Sequence, residues 1–154
     1  MSTNSKNKIL IYGGGGIGSY YAGALSNNGH NVTLLTRGKH YEEIKKNGLK
    51  LKTNWGNFTQ DINLVRKINS EYDVVILAVK TYSVKNILSD LKSLKKGTKI
   101  ICIQNGTFTY NYLSSQLNDQ GINVIDGLTW IDALRRDEGS VIQTGDEAKI
   151  IFGK

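Results

Sequence analysis

Near the start of the chain a short apolar run, Ile9-Leu10-Ile11-Tyr12, opens directly into Gly13-Gly14-Gly15-Gly16-Ile17-Gly18. Few folds accommodate that junction. Gly13, Gly15 and Gly18 fit the spacing G-x-G-x-x-G, and Tyr20 to Leu25 reads as a helix. The motif therefore lies between a strand and a helix, which is the context that gives it meaning. Gly13 permits the tight turn off the strand. Gly15 has no side chain, so a pyrophosphate can come against the backbone. Gly18 lets the helix pack close on the strand. The free N–H groups at the helix start then face the phosphates, and the helix dipole favours their negative charge. The stretch predicts a dinucleotide-binding turn rather than an ordinary glycine-rich loop.

The rest of the chain alternates in the way such a turn requires. Lys8 to Tyr12 is the first strand, Gly16 to Asn28 a helix closed by Gly29, and Asn31 to Thr36 a second apolar strand. Tyr41 to Asn47 reads as a helix. Leu49 to Thr53 and Phe58 to Leu64 alternate as a hairpin whose second arm joins the sheet edge. Asp73 to Val79 and Lys99 to Ile103 are apolar enough to be central strands. Val84 to Leu94 and Tyr110 to Leu117 carry apolar residues on one helix face, and Asn123 to Leu128 is a further strand. Thr129 to Leu134, Ser140 to Thr144 and Lys149 to Phe152 read as short strands separated by turns at Asp137-Glu138-Gly139 and Gly145-Asp146. The expected fold is α/β, a Rossmann-type doubly wound parallel sheet in the order 3-2-1-4-5-6. A short antiparallel extension is expected at its C-terminal end.

Site residues follow from that frame. Arg37 stands at the end of the second strand, where NAD-binding domains usually place an acid for the ribose 2′-hydroxyl. Its charge and planar fork of donors suit a 2′-phosphate, so the reading is NADP(H). His40, beside Arg37 and Lys39, is within sequence reach of the same phosphate, whereas His30 reads as structural. Lys80 and Asn105 follow central strands at their carboxyl ends, where open α/β sheets bind ligands. Lys80 can pair with a carboxylate or phosphate, and Asn105 can hydrogen-bond a nicotinamide ribose or a substrate.

Composition excludes more than it assigns. The 154 residues suit one domain, and 39% hydrophobic content is enough for one core. No apolar run approaches the roughly 20 residues a membrane span needs. Met1 to Lys8 is polar, lacks the apolar segment of a secretory leader, and is expected to fray. The formal charge of +7 comes from scattered lysines without an RNA-binding or zinc-finger pattern, so no nucleic-acid or membrane partner is expected. The single Cys102 lies in an apolar run and reads as a core thiol, consistent with a cytoplasmic location. No metal-ligand cluster is visible.

Four motifs taken together resemble ketopantoate reductases (2-dehydropantoate 2-reductases), in their N-terminal NADP-binding domain. They are the glycine loop, Thr36-Arg37-Gly38 with Asn47-Gly48-Leu49, Leu77-Ala78-Val79-Lys80, and Gln104-Asn105-Gly106 followed by a helix. The stretch from Gly127 through Ala133 to Phe152-Gly153 continues the likeness. The resemblance implies NADPH-dependent reduction of ketopantoate, or a similar 2-keto acid, to pantoate, a step toward pantothenate and coenzyme A. It implies Lys80 and Asn105 as the catalytic pair lining the cleft. Gly13, Gly14, Gly15, Gly16, Ile17, Gly18, Arg37, Lys80, Asn105 and Ala133 form the implied cofactor set. Members of the family also have a helical substrate domain; residues 1–154 are expected to be the single cofactor-binding domain without it. The apolar face such a domain covers is then expected to be masked by a homodimer contact or a partner chain. The alternative is a nucleotide-binding module without catalysis, or a subunit completed by another chain.

Overall fold

The computed structural model describes residues 6–153. The first five residues of the expected polar tail lie outside the described residues, and its last, Lys8, already belongs to the first strand.

The elements run β1 (Lys8–Tyr12), α1 (Gly16–Asn27), β2 (Asn31–Leu35), α2 (Gly38–Asn47), β3 (Leu49–Thr53), β4 (Gly56–Gln60), β5 (Asn63–Val65) and β6 (Val74–Leu77). A 3-10 segment (Thr81–Ile87) leads into α3 (Leu88–Leu91), then β7 (Lys99–Cys102), α4 (Phe108–Leu117), β8 (Asn123–Leu134) and β9 (Ser140–Gly153). The nine strands of the described residues join one sheet, in the order β4-β3-β9-β8-β7-β6-β1-β2-β5. Within it β5-β2-β1-β6-β7-β8 are mutually parallel, which is the expected 3-2-1-4-5-6 order with β5 as third strand.

The central strands are apolar along their whole length because both faces are covered. Leu10, Val75, Leu77 and Ile100 face one core with Leu91 of α3 and Leu113 and Leu117 of α4. Ile11, Leu34 and Ile76 face the other with Tyr20, Tyr21 and Ala22 of α1. Leu10, Ile11, Leu34, Val75 and Leu77 are fully buried, so neither face is the solvent side. Cys102 joins the first core as a free thiol, and burial pushes its pKa up to about 12, leaving it protonated and inert. No helix of the described residues is long and apolar enough to cross a membrane.

Three expectations need correction. The segment read as one arm, Phe58 to Leu64, divides. Residues 56–60 form the outer arm of the hairpin, while Asn63–Val65 turns away to pair with β2. The hairpin joins the sheet through its first arm, since β3 lies parallel to β9. Second, Val84 to Leu94 is not one α-helix: it is 3-10 as far as Ile87, a single α turn over Leu88–Leu91 and a turn and bend thereafter. Its Ser, Asn and Asp residues are weak helix formers, yet Val84 and Leu91 are still fully buried. Third, the antiparallel extension is long. β8 and β9 are single strands of 12 and 14 residues, and Gly145-Asp146 is no turn. It falls where pairing jumps from Ile131↔Ala148 to Ala133↔Gln143, so the glycine serves a bulge.

That ribbon bends over α1. Tyr21 Oη and Thr129 Oγ1 are 2.5 Å apart, and Tyr20 Oη donates to Gln143 Oε1 at 3.2 Å. A Cβ at Gly23 of α1 would collide with Leu51 of β3, so the hairpin also sits directly on the helix. The ribbon's outer face leaves Leu128, Trp130, Leu134 and Ile151 exposed, Trp130 at 61%.

Candidate functional site

The glycine loop has the sterics that the motif demands. Gly13 has φ +119°, and a Cβ there would press on the Ala78 backbone at 3.0 Å. A Cβ at Gly18 would overlap the Gly13 carbonyl oxygen, and one at Gly14 would overlap Thr36 Oγ1. Gly15 is the reverse: nothing lies within 4 Å of a Cβ placed on it. Its backbone therefore faces open space, at the N-cap of α1, where no side chain caps the helix. The first N–H groups of α1 remain available to an anion.

That open space continues into a cleft of about 330 Å³. Gly15, Gly16 and Ile17 form one side, and Ala78 to Thr81 and Ile103 to Asn105 form the strand ends. Thr129, Ile131 and Ala133 of β8 form the roof. β8 crosses so close that a Cβ on Gly16 would meet the Ala133 carbonyl oxygen at 2.5 Å. Lys80 is exposed at the end of β6, and its Nζ has no hydrogen-bond or ion-pair partner among the described residues. Asn105 is exposed at the end of β7, before Gly106 with φ +82°. The structure thus brings Gly15, Gly16, Ile17, Lys80, Asn105 and Ala133 together. Gly13, Gly14 and Gly18 do not line the cleft; they shape the turn behind it. Arg37 lies outside it too, exposed at the end of β2 and heading α2.

His40 does not take the place expected of it. Its ring is 1% exposed, and both nitrogens are engaged inside the protein. The Gly139 N–H donates to Nδ1 at 2.9 Å, so the neutral ring carries its proton on Nε2, 3.0 Å from Ser19 Oγ. Ser19 Oγ in turn donates to the Gly14 carbonyl at 3.2 Å, and Arg135 Nη1 reaches the same carbonyl at 3.2 Å. Burial, then Arg135, hold the imidazole pKa below its ordinary value against the opposing pull of Glu138. His40 is a strut that fixes the glycine loop to the ribbon turn, not a phosphate ligand. His30 is exposed just before β2.

Sequence reasoning named Ala133 but missed Gln104 and the other two roof residues, Thr129 and Ile131. Gln104 Nε2 donates to the Val79 carbonyl at 3.1 Å, tying the ends of β6 and β7 together. Its Oε1 is buried without a partner among the described residues. Thr129 and Ile131 alternate with exposed Leu128 and Trp130, and that period of two was the available signal. A second, shallower cavity of about 380 Å³ shares Gln104 and is lined by Asp126, Leu128 and Phe152. It lacks the glycine loop and the Lys80 strand end.

Comparison with known proteins agrees with this fold. Residues 9–154 match the family described as "Ketopantoate reductase PanE/ApbA". The "Uncharacterized oxidoreductase YkpB" of Bacillus subtilis (strain 168) is 32% identical over 149 residues, covering 96% of this chain and 48% of that protein. A 2-dehydropantoate 2-reductase of Pyrococcus horikoshii is 33% identical over 136 residues, covering 87% of this chain and 43% of that protein. The crystal structure of 2-dehydropantoate 2-reductase from Geobacter metallireducens GS-15 superposes with a TM-score of 0.86 at 29% identity, over 96% of this chain and 49% of that one. The chain spans about half the length of the curated relatives it matches.

Proposed function

The chain belongs to the ketopantoate reductase family, and on that footing we propose that it binds NADP(H) and supports reduction of 2-dehydropantoate, or a similar small 2-keto acid, to the 2-hydroxy acid. The observation that carries the reading is the meeting of Lys80 and Asn105 with the uncapped N-terminus of α1 around one cleft. The N–H groups of that helix turn take the pyrophosphate, and the empty space over Gly15 lets it approach. Arg37, at the end of β2, takes the 2′-phosphate through charge-assisted hydrogen bonds. Asn105 orients the nicotinamide ribose or the substrate, and the unpaired Lys80 ammonium attracts the substrate carboxylate or a cofactor phosphate. The orphaned Oε1 of Gln104 offers a buried acceptor at the same place. Ile17, Ile103, Ile131 and Ala133 keep water from the reacting faces. When bound, the reduced nicotinamide would supply the hydride for the keto carbon, and the carbonyl oxygen would take its proton from an acid or from water to give the alcohol.

In this reading residues 1–154 provide the cofactor-binding half. The family's helical domain supplies further substrate-positioning groups and an acid. Loss of general acid catalysis alone costs ~10²–10⁴-fold. A polypeptide of these 154 residues is therefore expected to bind NADPH yet turn over slowly. Turnover near ~10 s⁻¹ from it would overturn the division of labour.

The direct test follows NADPH absorbance with ketopantoate present. Keto-acid-dependent NADPH loss is expected from the protein. Lys80→Met and Asn105→Ala should each lower kcat/KM at least about tenfold, the equivalent of one lost charge-assisted contact. Tight NADPH binding without consumption, in the longest natural form of the protein, would instead favour the nucleotide-binding module without catalysis.

A further inference from the structure

We propose that Arg66 is a second specificity-determining residue for the cofactor's 2′-phosphate, working alongside Arg37. The inference rests on the NADP(H) reading above and extends it to a residue that the glycine-loop motif does not include.

Three observations converge on Arg66. The first is its place in the sheet. Leu35 of β2 pairs with Val65 of β5, and the Thr36 N–H donates to the Val65 carbonyl at 3.1 Å. Arg66 is the next residue on one strand and Arg37 stands just beyond Thr36 on the other. The two arginines therefore emerge from adjacent parallel strands at their carboxyl ends, the edge at which such sheets bind ligands. The second is the surface beneath it. Its guanidinium lies over the Tyr41 ring with Cζ 4.2 Å from the centroid, so it is a flat, pre-positioned plate rather than a free surface side chain. Tyr41 belongs to α2, whose N-cap is Arg37 itself, so one short helix sets both arginines. The third is donor supply. Arg66 Nη2 donates to Glu42 Oε1, which engages one of the guanidinium's five N–H donors and leaves the others for a second anion. Both partners of that pair are more than half exposed, and an exposed pair of this kind adds little of its own. A dianionic phosphate can share the guanidinium without a large loss.

The division between the two residues follows from their backbones. Arg37 heads a helix and is fixed near its start, while Arg66 approaches from the neighbouring strand. A phosphate held between them meets donors from two directions. A 2′-hydroxyl, being neutral and smaller, gains little from either. Arg66 therefore matters to the phosphorylated cofactor and not to the unphosphorylated one.

The test uses adenosine 2′,5′-bisphosphate and adenosine 5′-monophosphate as probes, with NADPH and NADH alongside, titrated by calorimetry against the purified protein. The unmodified protein should prefer the bisphosphate. Arg66→Ala should lower bisphosphate and NADPH affinity about tenfold, the loss of one charge-assisted contact. It should leave the monophosphate and NADH within twofold, which also shows that the variant is folded. Arg66→Lys should fall between, because it keeps the charge without the planar fork. If Arg37→Ala abolishes the preference and Arg66→Ala leaves it within twofold, this inference fails while the NADP(H) reading stands. If the unmodified protein does not distinguish the two probes, the NADP(H) reading fails and takes this inference with it.

Discussion

The parallel half of the sheet and the β8/β9 ribbon are built by different means. In the parallel half the central strands are stabilised on both faces by their own apolar residues, and Leu10, Ile11, Val75 and Ile100 have no exposed surface. In the ribbon, inward residues alternate with exposed ones; Ile131, Val141 and Ile150 pack on the α1 core, and a set of distant polar links adds to that hold: Tyr21 to Thr129, Tyr20 to Gln143, and Gly139 to His40. The cleft lies where the two constructions meet, with glycine-loop backbone below and Thr129, Ile131 and Ala133 above. The floor is thus specified by close backbone packing and the roof by apolar packing and hydrogen bonds across the fold. The two should fail differently when altered.

The largest effect is expected in the floor. Gly18→Ala adds a methyl group into the Gly13 carbonyl, which is backbone and cannot yield cheaply. Helix propensity returns about 1 kcal/mol, but overpacking of this kind dominates, and a net loss of about 3 kcal/mol or more is expected by urea denaturation. Gly15→Ala is its control, because φ is −73° and the added methyl group meets no protein atom within 4 Å. Stability should stay within about 0.5 kcal/mol, while NADPH affinity falls at least about tenfold. If the two variants behaved alike, the division of tasks among these glycines would be wrong.

His40 is the joint between floor and roof. His40→Ala leaves the buried Gly139 N–H unpaired and opens a void, with an expected loss of about 2–3 kcal/mol. The same group gives a pH signature. Its folded pKa is lowered, so the unfolded chain takes up its proton first. Its contribution is complete above the unfolded value of ~6.5 and is lost as the pH falls from there through the lowered folded value. Denaturation midpoints of the native protein should drop between about pH 7.5 and pH 5. His40→Gln should flatten that slope. An unchanged slope would place the titrating group elsewhere.

This contrast also governs what could be read from the chain. Ile9 to Tyr12, Asp73 to Leu77 and Lys99 to Cys102 announce themselves, because a strand buried on both faces is apolar residue after residue. Gly13, Gly15 and Gly18 were legible because their requirement is local and steric. His40 was not. Its partner Gly139 is 99 positions away, and its neighbours Arg37 and Lys39 suggested a phosphate instead. The turn signal at Gly145 misled for a related reason, since a bulge and a turn ask for the same residue. Lys80 and Asn105 could be placed from strand ends alone, whereas Gln104 needed its bond to the Val79 carbonyl to be noticed. Arg66 follows a strand of three residues that merged, in the sequence, with the hairpin before it.

Between these extremes stands Arg37, whose effect should appear in binding and not in folding. It is exposed, and no side-chain hydrogen bond caps α2. Arg37→Glu should therefore leave stability nearly unchanged while abolishing or reversing the preference for NADPH over NADH. One charge-assisted contact is worth on the order of 1.5–3 kcal/mol, roughly a tenfold to hundredfold change in affinity. Fluorescence titration with both cofactors reads it, and equal affinities in the unmodified protein would count against the assignment.

The smallest effect is expected on the outer face of the ribbon. Trp130 is 61% exposed and pairs across the strands with Lys149, whose ammonium lies 5.8 Å from its ring centroid. Such an exposed cation–π contact is worth about 0.5–1 kcal/mol. Threonine suits a strand about as well as tryptophan does. Trp130→Thr should thus cost under about 1 kcal/mol and leave NADPH affinity untouched, because Thr129 and Ile131, not Trp130, line the cleft. The neighbouring roof substitution Ile131→Thr should do the reverse, weakening NADPH while barely changing the outer face. If Trp130→Thr instead lowered stability by several kcal/mol, the tryptophan would have to be buried in the protein as it exists in solution. The outer face of the ribbon would then be an interface, and the roof of the cleft would be held from both sides rather than by its links to α1 and α2 beneath it.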